Sequence, residues 1–441
     1  MNPQRILVVG AGHVGLYAAL RLSSKLRRGE AEVIVVDPQP HMTYQPFLPE
    51  VSAGNISPRH SVVPLRRELP RCHVLAGHVT RIEHARRVAY VQPIIGPARE
   101  VAYDQIIVAP GSVSRTLPIP GLREQAIGFK TIGEAIYLRN KVLERLDVAA
   151  TTTDKATRAA ALTFVFIGGG YAGIEALAEL EDMARDALRY YPELDADEMH
   201  WVLVEATQRI LPEVDPDMGA YTVKELLRRR LDIRLGTRLE SCVGGLVRLS
   251  DGDSFQADTI VWTAGVKPHP MVRDTDLPLD EKGRIRCLAT LQVVDADGQV
   301  VPGAWSAGDT AAVPDLTKEP GALCGPSAQH AVRQAARLAG NLVGVLRGRA
   351  PVEYRHKYAG SVASLGLHKG VAQVYGIKLK GFPAWFMHRT YHLSRIPSVN
   401  RKVRVVIDWT LALFFRREVV ALGELHDPRE SFTEVTPPVP G

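Results

Sequence analysis

Glycines at a fixed spacing occur twice along this chain, each time between an apolar run and a segment of helical character. Gly10, Gly12 and Gly15 follow the apolar residues 6–9, and the next apolar run ends in Asp37. Glycine permits a tight turn and lets backbone N–H groups approach a pyrophosphate, while the acid can accept hydrogen bonds from ribose hydroxyls. The pattern predicts a dinucleotide site formed by a strand, a turn, a helix and a second strand.

The second glycine group consists of Gly168, Gly170 and Gly173, and its partner run ends in Glu205. An acid at that position accepts a hydrogen bond from the 2′-hydroxyl of an adenosine ribose and repels a 2′-phosphate. The acid therefore favours NADH over NADPH, although the nearby Arg209 weakens this preference.

Two dinucleotide folds in one chain commonly hold one tightly bound flavin and one exchangeable nicotinamide, because a hydride must pass between two cofactors. Two further apolar runs, residues 103–111 and 258–265, end in small residues. Residues 301–309 then predict a turn and a strand that ends in Gly308 and Asp309.

Composition sets the limits within which these elements must fold. The chain has 441 residues, of which 46% are hydrophobic and 23% charged, so it should form two or three domains with full cores. The net charge of +6 is too small on this length to predict a nucleic-acid partner. Cys72, Cys242, Cys287 and Cys324 have no CxxC spacing, which predicts reduced thiols and no metal site.

Membrane-spanning and secretory segments are not expected. Eighteen uninterrupted apolar residues occur nowhere, which argues against a transmembrane helix. Residues 6–20 are interrupted by glycines, so they are interpreted as a strand, turn and helix and not as a signal peptide.

The order of these five motifs over residues 5–375 resembles the two-dinucleotide-binding-domain flavoproteins, which share the fold of the pyridine nucleotide disulfide reductases. The resemblance implies an α/β fold with two Rossmann-like domains, FAD in the N-terminal one and NADH in the inserted central one. The FAD residues that it implies are Gly10, Gly12, Gly15, Asp37, Gly111, Gly308 and Asp309. The NADH residues are Gly168, Gly170, Gly173 and Glu205, and Gln45 and Gly265 complete the expected cofactor-binding set.

The predicted domains follow from this assignment. Residues 1–120 and 285–376 form a discontinuous FAD-binding domain, and residues 121–284 form the NADH-binding domain. Residues 377–441 form a C-terminal segment of amphipathic helices that ends in a Pro-rich tail.

Residues 41–50 decide which member of the fold the chain resembles. They contain no CxxxxC, so disulfide reduction is excluded. A sulfide:quinone oxidoreductase is disfavoured because Cys324 has no suitable partner cysteine.

The segment instead resembles the type II NADH dehydrogenases, single-chain flavoproteins of the membrane surface that pass electrons from NADH to quinone. The matching positions are His41, Gln45, Pro46, Leu48, residues 51–54, residues 64–66, residues 173–175 and residues 360–366. The resemblance implies an NADH:quinone oxidoreductase of the respiratory chain that pumps no protons.

Three residues are expected to act in catalysis by this resemblance. Glu175 matches an acid that the family uses beside the flavin, although a carboxylate near a helix N-terminus could also complement the helix dipole. Gln329 matches the first glutamine of the quinone motif, and Arg333 replaces the second. One turn apart, they should share a helix face. Arg333 could bind a quinone oxygen or could pair with a carboxylate.

The C-terminal segment carries the basic excess of the chain. Residues 378–417 contain nine basic residues and one acid, as expected for a surface that meets anionic lipid headgroups. Two amphipathic helices are predicted there, with Phe382, Trp385 and Phe386 on the apolar face of the first and Arg389 among them. The alternative is that these helices pack on the protein's own core or on a second subunit, as in a homodimer.

The leading hypothesis is therefore an FAD-dependent NADH:quinone oxidoreductase, bound peripherally to the cytoplasmic face of the plasma membrane. One alternative is an NADH-dependent reductase of a soluble redox partner, with the basic C-terminal surface as the docking site. Another is a flavin- and NADH-binding redox sensor.

Overall fold

A computed structural model describes residues 3–356 and 360–423, and these residues form two compact units. The first unit contains the described residues of Met1–Tyr44, Val62–Val113 and Val266–Tyr358. The second contains those of Gln45–Ser61, Ser114–Gly265 and Ala359–Gly441.

The helices are α1 (His13–Lys25), α2 (Leu48–Ser52), α3 (Leu65–Glu68), α4 (Leu122–Gln125), α5 (Ile132–Thr151), α6 (Lys155–Ala161), α7 (Tyr171–Ala187), α8 (Pro216–Arg228), α9 (Ala328–Leu346), α10 (Phe382–Arg395) and α11 (Val399–Phe414). The strands are β1 (Gln4–Val9), β2 (Ala31–Asp37), β3 (His41–Thr43), β4 (Val62–Pro64), β5 (His73–Glu83), β6 (Val88–Pro93), β7 (Arg99–Ala102), β8 (Gln105–Val108), β9 (Ser112–Ser114), β10 (Ala126–Gly128), β11 (Thr163–Ile167), β12 (His200–Glu205), β13 (Asp232–Leu235), β14 (Leu239–Ser241), β15 (Leu246–Leu249), β16 (Ser254–Gln256), β17 (Thr259–Trp262), β18 (Val266–Pro268), β19 (Ile285–Arg286), β20 (Gln292–Val294), β21 (Val300–Ser306), β22 (Ala311–Ala312), β23 (Gly360–Ser364), β24 (Gly370–Val374) and β25 (Ile377–Lys380).

The first unit is built on a sheet with the strand order β20-β21-β8-β1-β2-β5-β6-β7. β1 lies between β2 and β8 and pairs in parallel with both. Ile6, Leu7 and Val8 are completely buried, as expected of a parallel strand covered on both faces. The chain order reverses at β1, because β2 lies on one side of it and β8 on the other. Sheets of this kind bind ligands at the carboxyl ends of the strands at such a point.

The second unit repeats this arrangement in a smaller parallel sheet of order β10-β17-β11-β12-β13. The central strand β11 is again apolar throughout and buried. A separate antiparallel sheet, β23-β24-β25, supports α10. The first unit's mixed sheet has a parallel centre, β21-β8-β1-β2-β5, and antiparallel strands at both edges. Together with the parallel sheet of the second unit and the C-terminal helices, it confirms the predicted α/β fold with two Rossmann-like domains.

The compact units differ from the predicted domain boundaries in several places. Residues 266–284, predicted in the NADH-binding domain, lie in the first unit, and residues 114–120, predicted in the FAD-binding domain, lie in the second. Residues 45–61 belong to the second unit because α2 packs against α5 and α7. Residues 360–423 belong there too, since β23 contacts α7 and α10 packs on β23 and β24. The assignment of each cofactor to a domain stays a prediction.

The C-terminal helices are partly integrated into the second unit. α10 buries Trp385, His388 and Arg389, whereas Phe382 and Phe386 are more than half exposed. The side chain predicted to interrupt an apolar surface, Arg389, therefore points inward. Within the described ranges, 3–356 and 360–423, no helix combines the length and apolarity needed to span a membrane.

Candidate active site

The first glycine turn is shaped by backbone contacts at two of its glycines and is open at the third. Gly10 has a φ of +87°, and a Cβ added there would lie 2.5 Å from the Ala109 carbonyl oxygen. A Cβ on Gly15 would overlap the Gly10 carbonyl oxygen, so the turn and α1 pack only without side chains. A Cβ on Gly12 would have no neighbour within 4 Å, and this is the space that a dinucleotide phosphate requires.

Asp37 is tied to this turn. Its carboxylate accepts hydrogen bonds from the backbone N–H groups of Ala11, at 2.7 Å, and Gln39, at 2.8 Å. Burial raises the pKa of Asp37, and these two backbone donors oppose the rise. Each oxygen has a second lone pair for a ribose hydroxyl, so the geometry fits the predicted FAD role.

Three other predicted FAD residues lie together in the first unit. The Asp309 carboxylate accepts a 2.5 Å hydrogen bond from the Ser112 hydroxyl, and the Thr310 hydroxyl bonds to the backbone of Gly111. Gly308 has a φ of +72°, and its N–H donates to Gln334 Oε1 at 2.8 Å. Gln334 thus positions the Gly308 turn. The position of Gln334 in the sequence did not indicate this role.

The second glycine turn reproduces the first. Gly168 has a φ of +115°, a Cβ on Gly173 would overlap the Gly168 carbonyl oxygen, and a Cβ on Gly170 would meet nothing within 4 Å. The Glu205 carboxylate accepts from the N–H groups of Gly169 and Thr207, each at 2.7 Å. The second unit therefore offers the same open cradle and tied acid that the first unit offers.

Three further residues bear on the cofactor assignment. The Arg209 guanidinium donates to the backbone carbonyls of Pro212 and Val214, so it is held by its own loop. Gly265 has a φ of +89° and open space at its Cβ position. Gln45 donates to the Lys130 carbonyl at 3.1 Å within the second unit, and its cofactor contact stays a prediction.

Glu175 is buried and faces the C-terminal helices. Its Oε1 accepts from the Ser364 N–H at 2.9 Å and lies 3.0 Å from Nε2 of His388 on α10. Burial disfavours the charged imidazole, but the hydrogen bond and charge of Glu175, together with the charges of Glu50 and Glu179, outweigh burial and raise the pKa of His388. The alternative role for Glu175, complementing the dipole of α7, does not explain these two contacts.

Two further acids complete what we call the buried carboxylate cluster, consisting of Glu50, Glu175 and Glu179. Glu179 accepts from the Ser364 hydroxyl at 2.6 Å and from the Asn55 amide at 3.0 Å. Its complete burial, followed by the Glu50 charge, raises the pKa of Glu179 to about 7. The sequence analysis did not identify Glu50 or Glu179. The position of Glu179, one helical turn after Glu175 in the mostly apolar helix α7, was a signal that could have indicated it.

Glu50 connects the cluster to both C-terminal helices. Its Oε2 lies 2.9 Å from the Arg389 guanidinium and accepts from the Trp409 indole N–H at 2.9 Å. Arg389 lies over the rings of Trp385 and Trp409, 4.2 and 4.9 Å from their centres. Charge pairing and cation–π contact thus offset the cost of burying this guanidinium.

The predicted quinone residues lie on α9 in the first unit. Gln329 Oε1 is 3.0 Å from His356 Nε2, and the Arg333 guanidinium donates to the Gln329 backbone carbonyl at 3.1 Å. Burial, followed by the Arg333 charge, lowers the pKa of His356 to about 4, so His356 is neutral at pH 7. Gln329 and Arg333 share a helix face as expected, and their contact with a quinone stays a prediction.

The pKa of Glu179 predicts a stability effect with a definite sign. A carboxyl pKa raised from 4.5 to about 7 favours folding below the unfolded value, and this contribution is lost as the pH rises through about 7. Glu179→Gln keeps the side chain neutral at every pH. The stability of the variant relative to wild type should therefore rise between about pH 5 and about pH 8, by at most about 3 kcal/mol in unfolding free energy, and a higher relative Tm should report this rise.

The matched control is Glu181→Gln, which changes another buried acid two residues further along the same helix, α7. Glu181 pairs with Arg185 and Arg229, so its neutralisation should lower the Tm at every pH. A pH-independent Tm difference for Glu179→Gln would show that Glu179 is ionised in the folded protein.

The comparisons with known proteins agree with this geometry. The family model for the pyridine nucleotide-disulphide oxidoreductases matches residues 4–335. The chain belongs to the pyridine nucleotide-disulphide oxidoreductase family.

Its similar relatives carry a narrower name. The type II NADH:quinone oxidoreductase Ndh of Mycobacterium tuberculosis is 27% identical over 428 residues, which cover 94% of this chain and 89% of that protein. The type II NADH:quinone oxidoreductase of Staphylococcus epidermidis is 27% identical, over 88% of this chain and 93% of that protein. These relatives confirm the predicted resemblance to type II NADH dehydrogenases.

A solved structure supports the fold. The structure of NDH2 from Plasmodium falciparum in complex with NADH superimposes with a TM-score of 0.86 at 16% identity, covering 95% of this chain and 99% of that one. At this identity the likeness extends to the fold, which agrees with the two Rossmann-like sheets described above.

Proposed function

We propose that this chain is a type II NADH:quinone oxidoreductase with a resident FAD, which passes electrons to quinone without pumping protons. The observation that carries the proposal is the pair of open glycine turns, at Gly12 and Gly170, each with an acid tied to it. When bound, FAD supplies the two-electron chemistry that links NADH oxidation to quinone reduction.

The chain's own residues bind and orient the cofactor and the quinone, and they include a buried acid–base pair. Asp37 and Asp309 hold FAD hydroxyl groups, and the turn at Gly12 receives its pyrophosphate. On the acceptor side, the Gln329 amide and the Arg333 guanidinium offer donors to a quinone oxygen. Glu175 Oε1 and His388 Nε2 lie 3.0 Å apart and form an acid–base pair closed to water, since both side chains are at least 90% buried.

Anaerobic reduction of the yellow holoprotein by NADH, followed by reoxidation with menaquinone and ubiquinone analogues, tests this function. We expect rapid bleaching by NADH and full reoxidation by at least one quinone. Reoxidation only by a soluble redox protein would replace quinone with a soluble acceptor. Bleaching without turnover on any acceptor would favour a redox sensor.

NADH is the proposed donor in preference to NADPH. Glu205 lies at the end of β12, where it meets the adenosine ribose in this fold, and Arg209 is held by backbone carbonyls. Glu205→Gln should raise kcat/KM for NADPH about tenfold, because a like-charge repulsion of about 1 kcal/mol or more is removed.

The control is Glu213→Gln, which removes the same charge from an exposed residue of the following loop. It should leave the ratio of NADH to NADPH activity unchanged. Equal use of both nucleotides by the wild-type enzyme would contradict the role of Glu205.

Attachment to an anionic membrane surface, on the cytoplasmic face of the plasma membrane, is also proposed. The supporting feature is an apolar patch on α10, α11 and the residues after them. At least two fifths of each side chain in this patch is exposed: Phe382, Phe386, Val399, Val403, Val406, Ile407, Leu411, Leu413, Phe414 and Phe415. Basic residues of the same helices adjoin it, which suits an interfacial position.

The patch makes a testable prediction about liposome binding. The double variant Leu413→Gln/Phe414→Gln should weaken binding to anionic liposomes about tenfold or more, because each side chain contributes about 1.5–3 kcal/mol when buried. Flavin content and NADH reduction should persist.

The matched control is Ile94→Gln/Ile95→Gln, since this exposed pair lies in the first unit, outside the patch. It should bind liposomes as wild type does. If the Leu413→Gln/Phe414→Gln protein binds equally well but changes from a dimer to a monomer, the patch is a homodimer interface and not a membrane surface.

A further inference from the structure

Three buried side chains with different ligand atoms meet in the first unit. Asp315, Cys324 and His330 each offer one oxygen, sulfur or nitrogen atom, and these atoms all lie within 4.8 Å of one another. Each residue is at most 7% exposed. Carboxylate, thiolate and imidazole are the groups from which protein zinc sites are built.

The backbone places these groups before any ion is present. Asp315 and Cys324 lie on the two arms of one loop, which an antiparallel bridge between Pro314 and Leu323 holds together. The Asp315 N–H donates to the Ala322 carbonyl at 2.8 Å, and the Cys324 N–H donates to the Val313 carbonyl at 2.9 Å, so each arm is bonded to the other. His330 follows in the first turn of α9, so three separate chain positions converge on one point.

Hydrogen bonds orient two of the three side chains. Asp315 Oδ1 accepts from the Thr317 N–H at 3.1 Å and from its hydroxyl at 2.7 Å. The Tyr354 hydroxyl lies 2.8 Å from Nδ1 of His330. Partners of this kind typically hold metal-binding carboxylates and imidazoles in position.

Two further contacts of Asp315 and Cys324 are compatible with an entering cation, and the Cys324 thiol also has the Gln334 side chain as a hydrogen-bond partner. Lys318 Nζ lies 3.5 Å from Asp315 Oδ2, but its side chain is 63% exposed and can turn to solvent. Cys324 Sγ lies 3.9 Å from the Pro314 carbonyl oxygen, which is a weak contact.

A reactive thiol is the rival interpretation of this cluster. The Cys324 side chain is buried and lies beside the Asp315 carboxylate, whereas nucleophilic cysteines are partly exposed and lie in electropositive surroundings. The cluster also holds a single cysteine, so it has no partner for disulfide chemistry. A metal ion is the occupant that uses all three groups.

We propose that Asp315, Cys324 and His330 bind one Zn²⁺ ion, with a fourth position open to water or to a further ligand. Cys324 binds as the thiolate, and its proton is released to solvent as the ion enters. The ion then ties the loop that carries Asp315 and Cys324 to the start of α9, next to Gln329. This site is independent of the proposed function and departs from the expectation, based on cysteine spacing, that the chain has no metal site.

The test uses the full-length, flavin-loaded protein, equilibrated with zinc and then dialysed. We expect about one zinc per chain, an X-ray absorption spectrum with one sulfur at about 2.3 Å, and a rise in Tm with added zinc. Substitution with Co²⁺ should give tetrahedral ligand-field bands at wavelengths longer than oxidised flavin absorbs. Cys324→Ser and Asp315→Asn should each lose the zinc, whereas Cys72→Ser, which changes a half-buried cysteine outside the cluster, should keep it.

Either of two results would overturn the proposal. One is wild-type protein that retains no zinc and shows no cobalt bands, and the other is zinc content in Cys324→Ser equal to that of wild type. The X-ray absorption spectrum of the wild-type protein decides the question even if a variant fails to fold, because a sulfur-free shell around zinc excludes Cys324.

Discussion

Gly170→Val should give a yellow, folded protein that NADH reduces only at concentrations about 100-fold or more above those that the wild type needs. Gly170 is the N-cap of α7 with a φ of −75°, which valine adopts without strain, and its Cβ position is open. The fold should therefore tolerate the substitution, while the valine methyl groups occupy the space that the nicotinamide dinucleotide needs. A loss of about 3 kcal/mol in binding would raise the Kd for NADH about 100-fold or more. Anaerobic stopped-flow reduction at increasing NADH concentration measures this.

Gly133→Val is a suitable control, since Gly133 is also near a helix N-terminus in the second unit and its Cβ position is nearly open. This variant should be reduced as rapidly as wild type. If the Gly170→Val enzyme has the wild-type Kd for NADH, the second glycine turn is not the nucleotide site.

Gly12→Val should produce a colourless protein. Gly12 is the N-cap of α1 with a φ of −72°, and the space around its Cβ position is open, so the apoprotein should still fold. The valine side chain would then exclude the FAD pyrophosphate. Because a ligand present at 1,000 times its Kd stabilises the native state by about 4 kcal/mol, the Tm should fall by several degrees. Flavin absorbance per chain and a thermal melt measure the two effects.

Gly29→Val is a control for flavin content only. Gly29 has a φ of +79°, so a valine strains the loop between α1 and β2, which is separate from the glycine turn, and the substitution lowers the Tm by itself. That variant should lose stability but keep its flavin. Stoichiometric flavin in Gly12→Val would show that the first glycine turn does not hold FAD.

The two glycine turns and their acids were predictable because each is specified locally. The turn, the helix start and the acid that ends the second strand fall within one βαβ unit, and the geometry found at Gly10 and Gly168 follows from sterics. The shared helix face of Gln329 and Arg333 follows from helical periodicity in the same way.

The buried carboxylate cluster was not predictable, because its contacts join residues far apart in the chain. Glu175 meets His388 and Glu50 meets Arg389, and no local pattern announces either pair. Helical periodicity placed Arg389 on an otherwise apolar face, which predicted a membrane-facing surface interrupted by one charge. Arg389 in fact points to the interior, where it pairs with Glu50 of α2.

The inward-pointing Arg389 has a consequence for preparing a soluble form of the protein. Cutting the chain before α10 would remove both partners of Glu50 together with His388, and leaving a buried charge without its partner typically costs about 3–5 kcal/mol. The C-terminal helices, which we propose to meet the lipid, are therefore part of the same compact unit as the buried acids, and deleting these helices would destabilise that unit. Polar substitutions on the exposed face of α11 would remove the proposed membrane contact and leave the buried ion pairs intact.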